Sequence, residues 1–240
     1  MMLLLSALAW AYTSHHAHMM AMDMAMPAAS PAWSAADALL MFVMWTVMMA
    51  AMMVPSASPM IAAFATINHR RRERGAEHVA SIVFLAGYLL VWAGFSLAAT
   101  ALQWVLQASG ALDATLSASS ATVSALLFLL AGAYQFSPLK QMCLAWCRSP
   151  TGFILSEWRD GAAGALLMGL RHGAFCAGCC AALMLLLFAV AVMDLRWVAA
   201  LSVAVAAEKL LPQPRLWRCA IGIAAIGIGI GFAVVAIGAR

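Results

Sequence analysis

From Ser34 onward, apolar runs of bilayer length follow one another with only short polar interludes between them. A helix needs roughly 20 predominantly apolar residues to cross a bilayer. The runs 34–54, 78–107, 121–136, 162–193, 196–211 and 216–238 are long or nearly long enough to do so. With 66% hydrophobic and 9% charged residues, and a mean hydropathy of +0.95, this is not the composition of a soluble globular chain. The expected fold is all-α: one polytopic transmembrane helix bundle over residues 1–240, with six complete spans plus a partial N-terminal one. Residues 1–33 would form the partial helix and an outward loop, and 34–240 the bundle. Met1–Tyr12 is apolar but too short to span and lacks the basic flank of a signal peptide, so it is expected to be the end of a first helix whose beginning is missing.

Basic residues set the orientation. If every span is counted, Arg70, Arg71, Arg72, Arg74, Lys140, Arg148, Arg159, Lys209, Arg215 and Arg218 share one side, against Arg196 and Arg240 on the other. The side carrying Arg70–Arg74 is therefore expected to be cytoplasmic, and the loop 13–33 to face outward. The formal charge of +4 is accounted for by this asymmetry and gives no sign of a nucleic-acid partner. The expected location is a bacterial inner membrane, with the lipid bilayer as the first partner.

Chemistry concentrates in residues 171–184, RHGAFCAGCCAALM. On a helix, Cys176, Cys179 and Cys180 fall at i, i+3 and i+4 and share a face. Three sulfurs on one face suit a soft metal or thiol redox chemistry, although cysteine also packs as a small hydrophobe. His172, next to Arg171, is a candidate fourth ligand. A polar pair at membrane depth is costly and needs a partner or a function. Glu208 is the expected partner of Arg171, and Lys209 is expected to snorkel to the interface. The length of the run 162–193 predicts a break near Arg171-His172-Gly173. Cys143 and Cys147 lie at i, i+4 on the reducing side, where a structural disulfide is not expected; they read as a metal or thiol pair, or as buried interfacial cysteines. Cys219 reads as packing.

A second concentration lies in the outward loop, HHAHMMAMDMAM. His15, His16 and His18 with Met22, Met24 and Met26 pair imidazoles, which suit copper(II), with thioethers, which suit copper(I). The rival reading is a flexible loop. Met41, Met44, Met48 and Met52 recur at helical spacing, with Met49 and Met53 on the adjacent face. Such a stripe reads first as packing, and a ligand ladder is the alternative. No P-loop, G-x-G-x-x-G, H-E-x-x-H or G-x-S-x-G motif occurs.

Five stretches resemble a bacterial family known as predicted metal-binding integral membrane proteins: 44–60 (MWTVMMAAMMVPSASPM), 87–104 (GYLLVWAGFSLAATALQW), 131–150 (AGAYQFSPLKQMCLAWCRSP), 169–184 (GLRHGAFCAGCCAALM) and 208–212 (EKLLP). The resemblance implies metal binding, and matches Cys143, Cys147, His172, Cys176, Cys179 and Cys180 to that family's Cys/His positions. The leading expectation is copper handling, by transfer or by delivery to a copper-dependent membrane enzyme, through an inner Cys/His site and an outer His/Met one. Another soft or borderline metal fits the same ligands. The alternatives are a membrane thiol–disulfide oxidoreductase and an accessory subunit of a larger membrane complex. The chain is not expected to be an autonomous enzyme.

Overall fold

The structure, a computed structural model, describes residues 8, 10–15, 34–75, 78–112, 120–190, 192 and 194–238. Among the described residues the elements are helices and no strand: α1 (Ala35–Glu73), α2 (Ser81–Ala108), α3 (Ala121–Tyr134), α4 (Pro138–Arg148), α5 (Pro150–Glu157), α6 (Gly161–Met184), α7 (Leu187–Val190), α8 (Leu195–Leu210) and α9 (Pro214–Gly238). Residues 10–15 are also helical. The expected partial N-terminal span otherwise lies outside the described residues.

Four helical stretches are long and apolar enough to cross a membrane: α1, α2, α6 continued through α7, and α9. A fifth is counted if α3 and α4, bent by 64° at Gln135–Ser137, form one span. Six complete spans were expected, and the difference is one of length. Alone, α3 has 14 residues and α8 has 16, which at 1.5 Å per residue reach about 21 and 24 Å, against a hydrocarbon core of roughly 30 Å. The outer surface is as apolar as a lipid-facing one should be, with Leu97, Leu130, Val203, Val235 and Ile237 all more than half exposed.

The longest helix, α1, begins at a capping box in which the Ser34 hydroxyl accepts from the Asp37 amide and the Asp37 carboxylate accepts from the Ser34 amide. The sequence led us to expect this span to be ended or kinked by Pro55 and Pro59; the helix does not end there but continues to Glu73. Proline at 59 removes the donor for the Pro55 carbonyl, and the Ser58 hydroxyl donates to that carbonyl instead, at 2.8 Å. A side-chain hydroxyl thus re-satisfies the carbonyl that Pro59 frees, one of the ways a helix tolerates an internal proline. Ser56 also turns its hydroxyl back on the helix, to the Met53 carbonyl at 2.9 Å.

The most extensive contact joins α2 to α6, and the next joins α3 to α9. At the first, Gly87 and Gly169 let backbones meet: a Cβ on Gly87 would strike the Leu166 carbonyl, and one on Gly169 the Phe84 carbonyl. Small residues permit such approach where helices associate in lipid. The predicted break at residues 171–173 is absent, and α6 runs unbroken from Gly161 to Met184. Gly173 is accommodated because it lies against Val91 and Tyr88 of α2, where a side chain would clash.

Candidate metal centre

The cysteine face predicted for α6 exists and points into the bundle. Cys176, Cys179 and Cys180 are all buried, and α1, α2, α4 and α8 each bring at least one side chain to them. From α4, Cys147 Sγ lies 3.9 Å from Cys179 Sγ. Cys143, one turn earlier on α4, packs its sulfur against Gly178, whose Cβ would come within 2.8 Å of it. From α1, Met53 Sδ lies 3.8 Å from Cys180 Sγ. From α2, the Tyr88 hydroxyl is 3.1 Å from Cys176 Sγ and donates to the Met53 carbonyl at 3.2 Å. From α8, Lys209 Nζ reaches Cys176 Sγ at 2.9 Å and Ser56 Oγ at 3.3 Å.

The thiols themselves use the helix backbone. Cys179 and Cys180 both donate to the Cys176 carbonyl, at 3.1 and 2.7 Å, the back-bonding available to short polar side chains on a helix. Among the described residues, no three His, Cys, Asp or Glu side chains are arranged as a group that could hold a metal ion. The sulfurs are close neighbours, but they are not closed around a common point. All six cysteines are free thiols, and Cys219 sits apart on α9.

His172 is buried but keeps different company. Its ring stacks on Tyr88 (centroids 5.5 Å apart) and Phe84 (6.1 Å) and meets Phe153 edge-on at 5.6 Å. Its Nδ1 has no hydrogen-bond partner. The ring is thus an imidazole in an aromatic box, one turn before Cys176 on the same helix.

The charged neighbours differ from those expected. Arg171 lies on the outside of the bundle and pairs with Glu157, not Glu208. Glu208 is taken by Lys140, with Nζ–Oε2 at 2.7 Å, while Arg148 Nη1 donates to the Glu208 carbonyl. Lys209 does not snorkel; it is buried and turned toward the cysteines. It therefore supplies a positive charge facing the sulfur cluster. This role was not read from the sequence; the signal that could have found it is the adjacent Glu-Lys closing an apolar run, since charges within such runs are costly and call for a functional explanation. Tyr88 and Met53 carried no comparable signal, since tyrosine and methionine are ordinary in such helices.

Of the outer set, His15 is exposed at the end of the helical stretch 10–15. His16, His18, Met22, Met24 and Met26 lie outside the described residues. Of the methionine stripe of α1, Met44, Met48, Met49, Met52 and Met53 are no more than 2% exposed, while Met41 is partly buried.

The sequence profile of a family described as PpoB2, copper chaperone, matches residues 42–232 of this chain. No curated protein and no solved structure matches it.

Proposed function

The chain belongs to the PpoB2 copper chaperone family, and from that premise we propose that it is a membrane-integral protein that holds copper(I) on its cysteine cluster and passes it to a copper-dependent enzyme. The observation that carries this reading is the meeting of Cys147 and Cys179, two cysteines 32 residues apart on different helices, at 3.9 Å. Thiolates select soft ions such as copper(I). With metal–sulfur bonds of about 2.3 Å, sulfurs that far apart subtend an angle of about 115° at a shared ion, close to trigonal. Copper here is cargo, so a cluster that is gathered but not closed suits a protein that must also release it. Cys176 would be the third donor, with Lys209 offsetting the negative charge that several thiolates bring into a low-dielectric interior. Cys180, Cys143 and His172 complete the inner set, and His15, His16, His18, Met22, Met24 and Met26 the outer one.

In this reading α1, α2, the bent α3–α4 pair, α6–α7, α8 and α9 make six crossings of a bacterial inner membrane. The Arg70–Arg74 segment is cytoplasmic and the His/Met loop is outside. Support comes from two links, Arg71 with Asp160 and Arg148 with Glu208, which join the end of α1 to the start of α6 and the end of α4 to the end of α8. Alternating crossings require those ends to lie on one side.

The test is anaerobic elemental analysis of the purified protein beside a Cys176/Cys179/Cys180→Ser variant. The proposal expects copper in the first and its loss in the second, with equal thermal unfolding. Equal copper in both would contradict it.

A further inference from the structure

Cys180, besides its place in the inner set, makes a sulfur contact with a residue outside that set, Met53. Met53 sits near the middle of α1, is fully buried, and directs its thioether at Cys180 Sγ, 3.8 Å away. The Met53 backbone is fixed on both sides of that contact. Its carbonyl accepts from the Tyr88 hydroxyl at 3.2 Å and from the Ser56 hydroxyl at 2.9 Å. Tyr88 also touches Cys176, and Ser56 is held by Lys209. The same residues that border the cysteine cluster therefore hold Met53 in register with it.

We propose that Cys180 Sγ and Met53 Sδ form a mixed thiolate–thioether site for a soft monovalent metal ion, distinct from the Cys147–Cys179 pair. The site rests on the copper-handling function above. The chemistry follows from charge. A thioether is neutral, so one monovalent cation on one thiolate and one thioether carries no net charge, and burying an uncompensated charge is what an apolar interior resists most. Sulfurs 3.8 Å apart subtend about 110° at an ion with bonds of about 2.3 Å. Binding releases one proton to solution, because the Cys180 thiol that now donates to the Cys176 carbonyl must ionise. The two proposed donors are both sulfur, which suits a soft ion rather than a hard one.

The position of the site also explains the stripe that precedes it. Met49 lies one turn before Met53 on α1, and Met44, Met48 and Met52 run along the adjacent face, all buried. Steps of three and four residues place successive side chains about 5–6 Å apart. Their thioethers would be weak neutral donors, and Met53 is the one that the structure brings against a cysteine.

The experiment is copper K-edge X-ray absorption on the full-length protein, grown with selenomethionine, reduced, and loaded anaerobically with copper(I). Met19, Met20, Met22, Met24 and Met26 are replaced by leucine in every sample, so that the loop contributes no selenium. The proposal expects a copper–selenium shell, and its loss in Met53→Leu while copper–sulfur scattering from the remaining cysteines persists. Leucine conserves volume closely enough to keep the helix packed, and Cys180→Ser, which leaves Met53 in place, is expected to remove the same shell. Copper bound without a selenium shell, or a shell that survives both substitutions, overturns the site and leaves the cysteine reading standing. No copper bound at all overturns the copper-handling function, and this site with it.

Discussion

Lys140 and Glu208 are the residues whose charges the fold shields most completely, at 2.7 Å with both side chains almost without exposure. A buried pair of this kind contributes little beyond its own desolvation, but removing one partner strands the other. Lys140→Met is expected to destabilise the protein by about 3–5 kcal/mol in a detergent unfolding titration. The double variant Lys140→Met/Glu208→Gln should recover much of that loss. A single variant as stable as the parent would mean that the pair is not buried in solution. Lys209 differs from Lys140 in kind, because its nearest group capable of negative charge is a thiol, Cys176. The adjacent residues Glu208 and Lys209 thus serve two networks, one structural and one facing the cysteines. Sequence alone paired Glu208 with Arg171 and sent Lys209 to the interface, since neither Lys140 nor Cys176 is near them in the chain, and periodicity reports only local neighbours.

Among the helices, the contact between α2 and α6 depends on glycine at two facing positions. Gly169→Ala would drive a methyl group into the Phe84 carbonyl, and backbone cannot yield as a flexible side chain can. The expected cost is about 1–3 kcal/mol or more, read as a lower unfolding temperature. Gly94→Ala, on α2 with nothing within 4 Å of the added carbon, should be neutral or stabilising by about 0.5–1 kcal/mol. Equal unfolding temperatures for the two variants would contradict this packing. The long apolar helices were legible in advance, because apolar runs of 20 residues admit little else; the short helices Pro138–Arg148 and Pro150–Glu157, in a stretch that reads as a polar interlude, were not. The ends of the long helices were less legible. Pro55 and Pro59 read as ending or kinking the first span, yet the helix runs on to Glu73, and the Ser58 hydroxyl restores the bond that Pro59 removes. The polar pair Arg171-His172 read as a break, yet Arg171 points outward to Glu157 while His172 points inward to aromatic rings. One helix can present opposite polarity on its two sides, and a linear sequence does not show which side is which.

At the scale of the molecule, the cysteine face of α6 could be read from spacing, whereas its surroundings could not. Cys176, Cys179 and Cys180 share a face because an α-helix has 3.6 residues per turn. That Cys147 would meet them depends on the bend between α3 and α4, which swings Pro138–Arg148 against α6. The central claim is that sulfurs from these two helices hold one copper(I) ion together. The direct measurement is an anaerobic competition titration with a chromophoric copper(I) chelator, for the parent, Cys147→Ser, Cys179→Ser and the double variant. If the ion is shared, each single change weakens binding by about tenfold or more, a ten-fold loss being 1.4 kcal/mol, and the double change weakens it no further than the worse single one. Parent affinity in all three variants, or losses that simply add, would contradict the account.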